Sequence, residues 1–138
     1  MTVIRKRISR EEGVAAVEFA IILPVLALIL FGVIEFGRVW SQYQLFQGAA
    51  REGARCAAVA STSDCDPMTE VQNAAEPFTP EPPISISLVN GAPRPDGCEG
   101  TDRGQDIQVS WEQPLQIEIP FWKNTTVTST IKAVFRCE

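Results

Sequence analysis

The 138-residue chain carries 12 basic and 17 acidic residues, four cysteines and no histidine, for a net charge of −5. Without histidine and with a single tyrosine, the usual nucleophile–base pairs are missing, which argues against an enzyme. From Cys56 onward twelve acids stand against five bases with no basic stripe, which argues against nucleic-acid binding.

In chain order, the first feature is a basic leader, 1–13, with Arg5, Lys6, Arg7 and Arg10. Against Glu11 and Glu12 these bases give the leader +2, so a chain lacking it would carry −7. An apolar run follows. Phe19 to Ile34 is sixteen residues without a charge, bounded by Glu18 and Glu35. At about 1.5 Å per residue that is about 24 Å, short of a ~30 Å hydrocarbon core. Extended to 14–37 the segment reaches about 36 Å and predicts a transmembrane helix. One or both glutamates then sit at the edge of the lipid, where an acid is costly. The bases cluster before the segment, and only Arg38 lies in the thirteen residues after it. This bias predicts a cytoplasmic N-terminus and an external remainder. A cleaved secretory signal is the competitor, but no small-x-small site closes the run, so the segment is expected to be retained. Pro24 lies inside it, a position that membrane helices tolerate when neighbours repair the backbone.

The helix is expected to continue over 38–60. Phe36, Val39, Tyr43, Phe46, Ala50, Gly53 and Ala57 recur at intervals of three and four, the mark of one helical face. The small residues Gly48, Ala49, Gly53, Ala54 and Ala57 admit a close neighbour, either this chain's own domain or another helix in an assembly. Arg51, Glu52 and Arg55 read as a solvated face, and Glu35 with Arg38 as a local pair without special role.

Cys56, Cys65, Cys98 and Cys137 all lie beyond the membrane segment, and an even count in an extracytoplasmic domain reads as two disulfides. Of three connectivities, the preferred one is Cys56–Cys65, tying the helix end to its loop, with Cys98–Cys137 closing the sheet. Absent histidine and C-x2-C spacing speak against zinc, and Asp64, Asp66, Asp102 and Asp106 match no EF-hand loop. No metal and no cofactor is expected.

Residues 61–83 form a proline-rich connection, with a short helix from about Thr69 to Glu76. The segment 84–138 reads as a small disulfide-stapled β-domain. Residues 84–89, 107–111, 115–119 and 127–131 alternate strictly and predict three or four antiparallel strands with one apolar face. Asn90-Gly91, Asp96-Gly97, Arg103-Gly104 and Glu112-Gln113-Pro114 are the expected turns. The fold class is therefore α+β, a long N-terminal helix packed on a small antiparallel sheet. So small a core is the physical case for disulfide staples.

The heptad Gly13-Val-Ala-Ala-Val-Glu-Phe19 resembles the cleavage site of class III signal peptides, the leaders of type IV pilins and pseudopilins. Taken with Ala20-Ile-Ile-Leu-Pro24-Val-Leu26, Phe31-Gly32-Val-Ile-Glu35-Phe36-Gly37-Arg38 and Ala49-Ala50-Arg51-Glu-Gly-Ala-Arg55, it is similar to the TadE-like family. These are minor pilin-like proteins of the tight-adherence (Tad, or Flp-type) pilus systems. The resemblance covers about positions 13 to 60. It implies cleavage by a prepilin peptidase between Gly13 and Val14, with Glu18 and Phe19 serving recognition and assembly.

The partners it implies are the lipid bilayer, the prepilin peptidase, other Tad pilins and inner-membrane assembly proteins, with no nucleic acid and no small-molecule substrate. The place it implies is the bacterial inner membrane, and the role is pilus assembly or secretion, adhesion and biofilm formation. The alternative is an uncleaved single-pass envelope protein whose external domain binds another envelope component.

Overall fold

A computed structural model describes residues 10–60, 65–119 and 123–138, with 10–12 described in backbone only. The leader before Arg10, residues 61–64 of the expected connection (Asp64 among them) and residues 120–122 lie outside the described residues.

Helix α1 (Arg10–Val59) runs for 50 residues, about 75 Å at the standard rise. It passes through Pro24 without a break. Its first half is exposed on every side, with Val14, Phe19, Ile22, Leu26, Leu30 and Ile34 among its exposed apolar residues. From Phe46 onward one face turns inward, and Phe46, Ala49, Ala50, Ala54, Ala57 and Ala58 enter the core.

Helix α2 (Pro67–Ala75) packs across the small residues of that face. Asp66 caps it, accepting from Met68 N at 3.2 Å and Thr69 N at 3.3 Å, and its carboxylate also takes the Thr69 hydroxyl. Pro67 occupies the first turn, where its missing N–H costs nothing. Pro67, Val71 and Ala75, four residues apart, form the buried stripe. Gly53 explains the close approach. A Cβ there would lie 2.1 Å from Val71 Cγ2.

The sheet has three antiparallel strands in the order β1 (Ser85–Leu88), β2 (Asp106–Ile117) and β3 (Thr125–Arg136). Leu88 faces Ile107, Asp106 faces Arg136 and Ile117 faces Thr125. Ile86, Leu88, Ile107, Val109, Trp111, Leu115, Ile131 and Ala133 bury one face against α1. The expected turn at Glu112-Gln113-Pro114 is corrected: β2 is one twelve-residue strand that runs straight through it. The alternation never breaks, because Trp111, Gln113 and Leu115 all point inward. Gln113 keeps the period because its Oε1 is satisfied, taking Trp111 Nε1 and Glu81 N, both at 2.9 Å. Pro114 is tolerated because β1 pairs no further than Ser110, leaving β2 an edge there. The segment at 107–111 and residues 115–117 thus belong to a single strand, which ends two residues short of the expected 119, and the segment at 127–131 is the middle of a longer strand.

The helix C-terminus and the sheet are joined by backbone. Cys98 N donates to Ala57 O at 2.8 Å and Glu138 N to Ala58 O at 3.3 Å, partnering carbonyls that a helix end leaves open. Gly97, at φ +94°, makes this approach, since a Cβ would stand 2.7 Å from Ala57 O.

Candidate functional site: the apolar helix and its junction with the domain

The residues singled out by sequence fall in two places. Gly13, Val14, Glu18 and Phe19 lie together on the exposed first turns of α1. The structure brings no other described element near them. The Gly13–Val14 bond lies within α1, and the glycine has open space around its Cα. Glycine weakens a helix by about 1 kcal/mol relative to alanine. Val14 and Glu18 are four apart and share a helical face. Glu18 makes no ion pair with any described residue. Phe19 projects fully outward, 62% exposed.

The cysteines lie at the other end of α1. Cys56 bonds Cys65, and Cys98 bonds Cys137, with Cα separations of 5.8 and 5.9 Å. The first ties the last turns of α1 to the entry of α2. The second joins the β1–β2 loop to the end of β3. Among the described residues no group of three or more acids or cysteines is placed to hold a metal ion.

Between these ends lies a junction whose weight is not visible in the sequence. Glu35 and Arg38 form a two-point pair, with Arg38 Nε at 2.9 Å from Glu35 Oε2 and Nη2 at 2.5 Å from Oε1. The pair also grips the far end of β2. Arg38 Nη2 donates to Gln116 O at 2.8 Å, and Glu118 N donates to Glu35 Oε1 at 2.7 Å. The reading of Glu35 and Arg38 as a local pair of no special role is therefore corrected, since they pin the sheet to the helix across some eighty residues of sequence. Spacing revealed the i,i+3 partnership. Nothing local in the sequence reveals the strand end that completes it.

A second such clasp holds the β1–β2 loop. Arg94 donates to Asp102 through Nε at 2.6 Å and Nη2 at 3.1 Å, and Glu99 N donates to Asp102 at 3.0 Å. The Arg94 guanidinium first, and the Glu99 amide second, hold the Asp102 carboxyl below its ordinary value. Arg51 and Arg55 remain on a solvated face, with Arg55 Nη1 only 3.9 Å from Glu52 and both side chains largely exposed.

Among the described residues one helix is long and apolar enough to cross a membrane, and none of its most apolar stretch is buried by the rest of the chain. That exposure sets it apart from the core helix of a water-soluble domain. The class so defined is a single-pass membrane protein carrying a small disulfide-stapled α+β domain on a continuous helix.

Residues 13–55 are similar to the family model described as TadE-like protein. The match takes in the apolar half of α1, the Glu35–Arg38 junction and the small-residue stretch as far as Arg55. No curated protein and no solved structure matches the chain. The family match and the exposed apolar helix together support a Tad-pilus-related membrane protein, and neither gives any sign of catalysis.

Proposed function

We propose that the chain is a minor pilin or pseudopilin of the Tad system, anchored in the bacterial inner membrane and acting in pilus assembly or secretion, adhesion and biofilm formation. The observation that carries this reading is the coincidence of the TadE-like segment with an apolar helix that its own domain leaves bare. The leader is cytoplasmic and the disulfide-bonded domain external, in keeping with the basic N-terminus and the oxidised cysteines.

A prepilin peptidase cuts between Gly13 and Val14, at a glycine that weakens the helix. The new amine of Val14 has an ordinary pKa of ~8. It, or the amine of a neighbouring subunit, pairs with Glu18, which in lipid otherwise lacks a partner at a cost of several kcal/mol. Such pairing sets the axial register against other Tad pilins, with Phe19 beside it at the contact. The test is N-terminal sequencing of the protein from its native membrane. A chain starting at Val14 only when the peptidase is present is the expected result, and an intact Met1 throughout overturns processing. Register is tested separately: Glu18→Gln should weaken co-assembly with partner pilins, and undiminished co-assembly removes that role.

One observation favours a second reading, an uncleaved envelope protein whose domain binds another envelope component. Helix α1 runs through the Gly13–Val14 bond without interruption, so cutting requires the helix to open there. The same N-terminal sequencing decides between the two.

A further inference from the structure

The position of the β2 end relative to the apolar helix carries an inference beyond the anchor itself, though it rests on the membrane-spanning reading of α1. Measured from Val14, a ~30 Å hydrocarbon core at about 1.5 Å per residue ends near Ile34. Two features of the helix mark the same level. The first is Glu35, which accepts a hydrogen bond from the Glu118 amide of the folded domain. The second is an aromatic row, with ring centroids 6.1 Å apart for Phe36–Trp40 and 5.9 Å for Trp40–Tyr43. Trp40 is 52% exposed, and tryptophan and tyrosine collect where lipid meets water.

The sheet does not stop above this row. Glu118 N is hydrogen-bonded to Glu35, and Ile117 and Ile119 face Leu28, Phe31, Phe36 and Val39 across an apolar groove of about 350 Å³. On the other flank Ile119 and Asn124 border a shallower recess with Phe31 and Ile34. Leu28 lies about 10 Å below Glu35 along the axis. Ile117, Glu118, Ile119 and Asn124 therefore stand at or beneath the aromatic row, beside residues whose exposure only lipid explains.

We infer that the hairpin end formed by residues 117–119 and 123–124 is a second membrane contact, seated in the interfacial layer of the leaflet on the domain's side, with a phospholipid acyl chain filling the groove. The polar chemistry agrees. Glu35 meets the membrane edge with its carboxylate bonded by Arg38 and the Glu118 amide, so its own charge enters the interface compensated. Exposed Ile119 supplies an apolar contact, and exposed Lys123 a cation for anionic headgroups. Two contacts, helix and hairpin, fix the tilt of the domain over the bilayer, which one helix alone leaves free to swing about its axis.

The experiment places one nitroxide at a time on the full chain in phosphatidylethanolamine and phosphatidylglycerol vesicles. The four native cysteines are disulfide-bonded, so only an introduced thiol reacts. Ile119→Cys and Asn124→Cys report on the hairpin end, both at exposed positions that tolerate substitution. Val89→Cys reports on the opposite end of the sheet, and Ile29→Cys on the anchor. Collision with dissolved oxygen, which concentrates in lipid, is compared with collision with a water-soluble nickel chelate. The expected result is an oxygen-to-nickel ratio at 119 and 124 several-fold above that at 89 and approaching that at 29. A water-like ratio at 119 and 124 overturns the hairpin contact while leaving the anchor intact. Exclusion of both reagents there overturns it in favour of a second copy of the chain covering the groove. A water-like ratio at 29 overturns the spanning helix and with it the inference.

Discussion

The two halves of α1 are one continuous helix with opposite needs. The half before Glu35 is apolar on every face and touches almost nothing in its own chain. The half after it is apolar on one face, and that face is covered by α2 and the sheet. A helix that is hydrophobic all round needs a hydrophobic solvent, and a helix with one apolar stripe needs a domain. The difference lies in side-chain size as well as pattern. Leucine, isoleucine and phenylalanine dominate the outer-facing half. Alanine and glycine dominate the packed half, where α2 comes close enough for a single methyl at Gly53 to collide with Val71.

The sharpest way to break this comparison is to damage each half alone. Trp111→Ala removes a buried indole that meets Phe46 edge-on at a centroid distance of 6.4 Å. It also strips Gln113 of one partner. The loss should be about 3–5 kcal/mol of domain stability in denaturant unfolding, with membrane attachment unchanged. Leu26→Arg should do the reverse, weakening membrane insertion by about 3–4 kcal/mol while the domain's unfolding midpoint stays put. If either variant moved both readouts equally, the two halves would not be energetically separate.

The disulfides sharpen the same contrast within the domain. Cys98–Cys137 spans 39 residues of sequence and Cys56–Cys65 spans 9. Chain entropy alone assigns them about 4 and about 2.6 kcal/mol respectively. Serine replacement of each pair should therefore destabilise in that order, by thermal unfolding of the external domain. Equal losses would mean that native-state contacts, rather than loop closure, set their worth. Gly53→Ala tests the close approach directly. The added methyl meets Val71, and a loss of about 1–3 kcal/mol is expected in the same assay.

Much of this division is legible in the sequence, because it rests on local rules. The uncharged run from Phe19 to Ile34, the three- and four-residue spacing after Phe36 and the strict alternation around Ile107 each report one element by its own period. What misled was a strong local signal placed in a tertiary context. Glu112-Gln113-Pro114 has turn composition, but β1 ends at the pair Ser85–Ser110, so Pro114 occupies an edge where a missing N–H is harmless. The Glu35–Arg38 grip on β2 was illegible for the opposite reason. Its partners are backbone groups of Gln116 and Glu118, and backbone groups carry no sequence signature.

The smallest expected effect concerns pH, and it belongs to the domain half. Asp102 is buried against Arg94, and its carboxyl is held below the ordinary value by the two Arg94 hydrogen bonds and the Glu99 amide. A carboxyl whose pKa is lower folded than unfolded contributes its full stabilisation above the unfolded value of ~3.9 and loses it as pH falls through the folded one. Asp66, lowered chiefly by its bond from the Thr69 hydroxyl, acts in the same direction at the α2 cap. The domain's unfolding midpoint should therefore vary little near neutrality and drop below about pH 4. Asp102→Asn separates the clasp from the other carboxylates, because the amide cannot titrate. The gap in midpoint between the native chain and Asp102→Asn should be widest at neutral pH and close in acid. A gap that persists unchanged into acid would mean that Asp102 acts through shape rather than charge, as a filler of the β1–β2 loop. The loop would then owe its position to the Cys98–Cys137 bridge and the backbone bond from Cys98 to Ala57, and the charged clasp would be a consequence of the fold instead of a cause.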